Sequence, residues 1–310
     1  MTMRHDDTTS DNDTDTDIAP ATPDLPSNRG RWGLDDQLGT LNLITEEVRA
    51  RGAAEVRTGR AVSLAQVIEP APVVSGPFAP AGRPASPVQQ TVTYTGSPTM
   101  AAVDVMTVVN HHTRSTHIDA LVHIPRDGDV YPGRPLTRSL SPAGAVHGST
   151  TAFAAGIVTR GVLLDLAPGT ALEPGHAITA RDLEAAEERQ GVRLESGDAL
   201  VVRSGWIGGP QPDREMPGIS LDAVRWMDRR GASLFTGDAG DAHPGHDPAC
   251  PMPLHDVALP LLGMPLIDVP DLEELAAVCA ELGRYAFLLT VAPPRIHGLT
   301  GVPVNPLALF

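Results

Sequence analysis

Four of the chain's eleven histidines fall between positions 111 and 123, at 111, 112, 117 and 123, with an aspartate among them at 119. Imidazole and carboxylate are the side chains that ligate borderline metal ions and move protons near neutral pH. The run Thr116-His117-Ile118-Asp119-Ala120-Leu121-Val122-His123 predicts a strand. Side chains alternate faces along a strand. His117, Asp119, Leu121 and His123 would share one face, and Ile118, Ala120, Val122 and Ile124 a second face suited to a core. Residues two apart on one face are roughly 7 Å apart at Cα. An ion about 2.0–2.2 Å from each ligand atom is then within reach of both His117 and Asp119. A half-buried strand with a solvated polar face fits the same pattern.

Other stretches offer less. Asp238-Ala239-Gly240-Asp241-Ala242-His243-Pro244-Gly245-His246-Asp247 is dense in potential ligands and reads as a polar loop, with His243 or His246 as a substrate-facing residue. Cys250 lies between Ala249 and Pro251, with nothing to lower its pKa, and Cys279 sits in an apolar helix. Ser204-Gly205-Trp206 lacks the Gly-x-Ser-x-Gly elbow of a serine hydrolase.

The elements that must position these residues are legible in outline. Thr45, Thr179 and Ser220 have the placement of helix N-caps, and Asp271 opens a fourth helix. Gly59, Gly191, Gly231 and Gly283 follow the four helices. Runs at 104–110, 157–166, 199–203, 233–235 and 284–291 predict strands. Helices and strands are interspersed, so a mixed α/β (α+β) single domain follows. Residues 1–28, with seven Asp against Arg4, predict a disordered acidic tail ahead of a domain over 29–310. Six prolines in 70–88 predict a long irregular loop.

Composition removes whole reaction classes. All 23 basic residues are arginine, so Schiff-base lysine chemistry, the P-loop and the kinase lysine are excluded. A net charge of −15 argues against a nucleic-acid partner. No apolar run is long enough to span a membrane, nothing resembles a signal peptide, and two cysteines make no disulfide scaffold. The expectation is a cytoplasmic protein acting on a small molecule.

The Thr116–His123 run resembles the signature of the cyclase-like metal-dependent hydrolase family, which includes bacterial kynurenine formamidase and isatin hydrolase. The likeness extends to Trp32–Asn42, Asp127–Gly133, Gly263-Met264-Pro265-Leu266 and Thr300–Pro306. It implies the swivelling β/β/α fold, a homodimer or homotetramer, and a bound divalent ion, Zn²⁺ or Mn²⁺. His117 and Asp119 would be ligands, Asp119 able to bridge two ions, with His255 and Asp268 completing a second position. Thr113 stands where the first signature histidine falls, so that ligand is either absent or supplied by His111. Ser115 and Leu121 replace the signature's Gly and Pro, and Asp268 replaces its Glu. His123 would be the catalytic histidine. Tyr131 and Asp238 are candidate substrate-binding residues by position. Without lysine, an Arg such as Arg114 or Arg126 must hold any substrate carboxylate. The implied reaction is hydrolysis of an amide, cyclic amide or imide, or lactone by metal-activated water with a histidine as acid and base. A lyase or cyclase step in secondary metabolism and a catalytically silent binding protein are the alternatives.

Overall fold

The computed structural model describes residues 25–76, 86–206 and 214–310. Most of the expected acidic tail, residues 1–24, lies outside the described residues, as does the 77–85 portion of the proline-rich loop. Leu25–Asn28, counted with the tail on composition, is instead packed. Asn28 is buried, and its amide donates to Leu262 O at 3.1 Å.

One mixed sheet of nine strands organises the domain. In chain order its members are β1 (Ala61–Ser63), β4 (His117–Asp119), β5 (Ile157–Asp165), β6 (Ala199–Arg203), β7 (Leu234–Gly237), β8 (Leu266–Asp268), β9 (Ala286–Val291), β10 (Gly301–Pro303) and β11 (Leu307–Leu309). Strands β2 (Val88–Thr95) and β3 (Ala101–Val108) form a separate hairpin. Across the sheet the order is β1-β11-β9-β5-β6-β7-β8-β4-β10. Strands β5 to β8 run parallel, and the flanks are antiparallel. The central strands read as continuous apolar runs, such as Val162–Leu164 and Ala199–Val202, because both of their faces are covered.

The sheet curls nearly into a barrel. Its two ends are occupied by strands almost adjacent in sequence, since β10 closes one end and β11 lies next to the other. Three residues join them, and so short a link spans only about 14 Å even when extended. Ser63 Oγ donates to Asn305 Oδ1 in that link at 2.6 Å, and Val304 N donates to Thr116 O at 3.0 Å.

The helices follow their caps. Helix α1 (Glu46–Ala53) starts at Thr45, whose side chain accepts from Val48 N. Helix α2 (Ala180–Gln190) has the Thr179/Asp182 capping box and stops at Gly191 in the left-handed conformation. Helix α3 (Leu221–Arg230) lies between Ser220 and Gly231, and α4 (Glu273–Leu282) ends at Gly283. Helix α1 is shorter than its predicted stop at Gly59, and α4 begins two residues after Asp271. The apolar run before Gly263 forms a π-helical segment, Leu254–Leu262, which periodicity did not reveal. Trp226 is buried, with its indole N–H on Glu184.

The signature segment departs from expectation. The strand ends at Asp119 rather than running to His123. Ala120 turns the chain, with His123 N donating to Ala120 O at 2.9 Å. Leu121 is buried, so the predicted alternation stops after one pleat.

Candidate metal centre

The centre is built where β4 lies between β8 and β10. The antiparallel register sets Asp268 opposite His117 on one side, and Gly301 opposite Asp119 on the other. Directly paired residues share a face, so His117, Asp119 and Asp268 point together. Gly301 leaves a gap on that face, and the His111 ring fills it. A Cβ at Gly301 would stand 2.3 Å from His111 Cε1. His111 arrives from the bend after β3, its Nδ1 donating to Asp119 Oδ1 at 2.7 Å. Thr300 Oγ1 pairs with its Nε2 at 3.0 Å. His112 turns away, pairing with Ser75 and with the backbone N–H of Arg114. The structure therefore places His111, not His112 or Thr113, beside the signature ligands.

Two donor groups result, His111–His117–Asp119 and Asp119–His255–Asp268, each with its ligand atoms within 4.8 Å of one another. Asp119 belongs to both. Asp268, one methylene shorter than the glutamate it replaces, still brings Oδ2 to 3.4 Å from His255 Nε2. His123 reaches the same place through the turn. Its ring stacks on His111 at 3.6 Å, and its Nε2 is 3.9 Å from Asp119 Oδ2.

Each imidazole is oriented by a second contact. His117 Nδ1 donates to Ser115 O at 2.7 Å, which leaves the Nε2 lone pair toward Asp119. His255 Nδ1 donates to Asp241 Oδ2 at 2.7 Å, turning Nε2 toward Asp119 Oδ2 at 3.3 Å. Asp241 also accepts from Leu254 N and His255 N, so one carboxylate caps the π-helical segment and aims its histidine. That role was invisible in the sequence, where Asp241 sat in an acidic loop with no local tie to His255. Asp241→Asn should weaken divalent-metal affinity by about 10–100-fold, the usual effect of losing such an orienting carboxylate. Metal titration of the apo-protein checks this, and an unchanged affinity would remove Asp241 from the site.

The residues fit a divalent cation. Asp119 is fully buried, and its Oδ2 has no hydrogen-bond partner. A buried anionic oxygen that accepts no hydrogen bond is costly, and a cation held between it and the facing imidazoles of His255 and His123 would satisfy it. Burial opposes ionisation of Asp119, yet the surrounding His111, His255, His123 and His117 hold its carboxyl well below the ordinary range. Burial pushes His123 down to about 4, helped by His111 and His255 against the pull of Asp119. Burial also opposes protonation of His255, but Asp268, Asp119 and Asp241 hold it well above its ordinary value. The donors are nitrogen and oxygen without thiolate, the set suited to Zn²⁺ or Mn²⁺.

Several other candidates stand elsewhere in the structure. Tyr131 is fully buried, packed against Gly263, and its hydroxyl donates to Asp36 Oδ2 at 3.0 Å. The ring packs in the core, and the hydroxyl is engaged by Asp36. Asp238 is buried as well. Its Oδ1 accepts from Ser204 N and Oγ and its Oδ2 from Gly205 N, so it clamps the loop after β6. Burial pushes its carboxyl up to about 6 against those hydrogen bonds. His243 and Arg114 are exposed, and neither belongs to the two donor groups. Arg126 lies against Asp256 O and Asp127. Cys250 and Cys279 are buried, which raises their thiols to about 11 and 12 and keeps them protonated at neutral pH. Val269, just after Asp268, has φ +48° although it is β-branched. Thr116 Oγ1 and Gln66 Nε2 both donate to its carbonyl and hold that strained turn. Among the described residues no helix is long and apolar enough to cross a membrane.

Comparison with known proteins places this geometry in a family. The Cyclase family model matches residues 62–243. A crystal structure described as a novel cyclase is 31% identical, covers 92% of this chain and 100% of its own, and superposes with a TM-score of 0.77. Isatin hydrolase A from Labrenzia aggregata is 20% identical, with 85% of this chain and 97% of that one covered and a TM-score of 0.59. Isatin hydrolase A from Ralstonia solanacearum is also 20% identical, with 84% and 94% covered and a TM-score of 0.57. At that identity the two hydrolases speak to the fold. No curated protein matched the chain in sequence. The matched span and the shared fold identify the chain as a member of the Cyclase family.

Proposed function

We propose that this protein is a divalent-metal-dependent hydrolase acting on an amide, cyclic amide or imide, or lactone. The observation that carries the reading is the pair of donor groups sharing Asp119, whose buried Oδ2 accepts no hydrogen bond and faces only the imidazoles of His255 and His123. The isatin hydrolases among proteins of like fold support a hydrolytic reaction. His111, His117 and Asp119 would hold one ion, and Asp119, His255 and Asp268 a second. A bound Zn²⁺ or Mn²⁺ supplies hydroxide near neutral pH and polarises a carbonyl oxygen. Ser115 O and Asp241 keep His117 and His255 aimed with the correct tautomer. Among the described residues none hydrogen-bonds the His123 side chain, and 22% of that side chain is exposed to solvent. It takes a proton from the nucleophile and returns it to the leaving nitrogen or oxygen.

The test is a panel of formylated amines, cyclic imides and lactones assayed with metal-loaded protein, with products read by mass. Hydrolysis adds one water, whereas a lyase or cyclase step removes one. His123→Ala should lower kcat by about 10²–10⁴-fold while metal content stays at the wild-type level. A wild-type chain that binds no divalent ion and adds water to none of these substrates would end the reading.

A further inference from the structure

His111 occupies the place of a ligand that the signature sets two residues later, at Thr113, and its ring is seated by contacts of its own. Gly301 crowds the Cε1–Nε2 edge, where a Cβ would come within 2.3 Å of Cε1 and 2.9 Å of Nε2. His123 stacks on the ring face at 3.6 Å, with the two planes only 4° apart. Thr300 Oγ1 meets Nε2 at 3.0 Å, and Asp119 Oδ1 meets Nδ1 at 2.7 Å. Turning the ring over would set Cδ2 against Asp119 and Cε1 against Thr300. Both polar contacts would be lost, so together they fix which nitrogen faces Asp119.

The two histidines of the first donor group therefore present different atoms to one oxygen. His117 offers Nε2, 3.6 Å from Asp119 Oδ1, because its Nδ1 is spent on Ser115 O. His111 offers Nδ1, and its ring stands perpendicular to that of His117. A neutral imidazole has one proton to place, and a carboxylate only accepts. With the proton on Nδ1, His111 donates to Asp119 and Nε2 accepts from the Thr300 hydroxyl. With the proton on Nε2, the ring donates to that hydroxyl and frees the Nδ1 lone pair for an ion shared with Asp119. A hydroxyl both donates and accepts, so Thr300 serves either arrangement, and a methyl group in its place serves neither.

We propose that Thr300 is the positioning residue that makes His111 a metal ligand through Nδ1, by holding the ring proton on Nε2. It does for His111 what Ser115 O does for His117 and Asp241 for His255, with the roles of the two ring nitrogens exchanged for His111. The main chain of Thr300 has a separate task. Its carbonyl accepts from Ala120 N at 2.9 Å, at the turn that carries His123 back to the centre. That contact survives any ordinary side-chain substitution, so the hydroxyl can be removed by itself. The proposal rests on the metal-dependent reading above, but it concerns ion binding and is tested without turnover.

Zinc titration of the full chain against a chromophoric chelator tests it. Thr300→Val keeps the shape and should weaken zinc binding at the His111 position by about 10–100-fold, the usual effect of losing an orienting contact. Thr300→Ser keeps the hydroxyl and should bind as the wild type does. A purely packing role predicts the reverse order, with valine tolerated and serine impaired. Should Thr300→Val fail to fold, the wild type decides. In the zinc-loaded protein with isotope-labelled histidine, long-range proton–nitrogen spectra should show His111 protonated at Nε2 and His117 at Nδ1. The His111 signals are identified by their loss in His111→Asn. Wild-type affinity in Thr300→Val, a serine variant as weak as the valine one, or a zinc-loaded His111 protonated at Nδ1 would each overturn the proposal and leave the metal-dependent reading standing. A wild type that binds no zinc or other divalent ion would end both.

Discussion

Asp119→Asn should strip the purified protein of its divalent metal and slow hydrolysis by roughly 10³-fold or more. The side chain is fully buried and, among the described residues, is the one ligand common to both donor groups. Asparagine keeps the shape and removes the charge. Its amide nitrogen is no ligand, and its oxygen is a far weaker one than a carboxylate. His111, which donates to Asp119 Oδ1, and His255, 3.3 Å from Oδ2, both lose their anionic partner. Removing one member of a buried charge pair costs about 3–5 kcal/mol. Some 4 kcal/mol of that size, withdrawn from the bound ion and the transition state, corresponds to about 10³-fold. Metal analysis after exhaustive dialysis, alongside kcat, checks the result. Asp104→Asn on the hairpin is the control and should retain metal. Full metal occupancy in Asp119→Asn would overturn the assignment of these ligands.

The second large effect lies away from the chemistry. Asp198→Ala should destabilise the fold by about 3–5 kcal/mol, because it takes from a buried guanidinium its bidentate partner and leaves only the half-exposed Glu195 and Arg193 O. Asp198 is fully buried at the start of β6. Arg160 on β5 grips it with Nε at 3.1 Å and Nη2 at 2.5 Å, Arg51 adds a contact at 2.7 Å, and Glu195 N donates to Oδ2 at 2.8 Å. Arg51 is partly exposed and can turn to water, whereas the Arg160 side chain is only 10% exposed. For a domain of this size the loss lowers Tm by on the order of 10 °C. Urea unfolding measures it, and kcat per folded molecule should stay near wild type. The double variant Arg160→Met/Asp198→Leu separates charge from packing. Replacing both partners with apolar groups should recover most of the loss. If it is as unstable as Asp198→Ala, packing rather than the stranded charge explains the effect.

Local chemistry was readable wherever a few neighbouring residues decide the outcome. Thr179 with Asp182, Ser220 and the glycines at 191, 231 and 283 marked helix ends correctly, because caps depend on residues within one turn. Inward-facing strands such as Ala199–Arg203 were visible as apolar runs. The Leu254–Leu262 segment was not, because its irregular helical period and Pro260 blur the amphipathic pattern. The signature strand was overextended for a related reason. Alternation of polar and apolar residues continues past Asp119, but the turn at Ala120 is held by a contact from outside the segment, Ala120 N to Thr300 O.

The site divides along the same line. Residue types and spacing alone offered imidazole and carboxylate, rather than amine or thiol, as the groups available for chemistry, and set His117 and Asp119 on one face. Both facts depend only on composition and on the two-residue period of a strand. Whether His111 or nothing stands beside them depended on Gly301, 190 positions along the chain, whose missing side chain makes room for the ring. Which residue aims His255 depended on Asp241, and whether Asp268 reaches the cluster depended on the register of β8 against β4. That Tyr131 pairs with Asp36 and Asp238 with Ser204 was likewise not readable from position. These outcomes turn on contacts between strands and loops far apart in sequence. Distances of a few ångströms between such elements are set by how the sheet curls and pairs, and no local pattern encodes them.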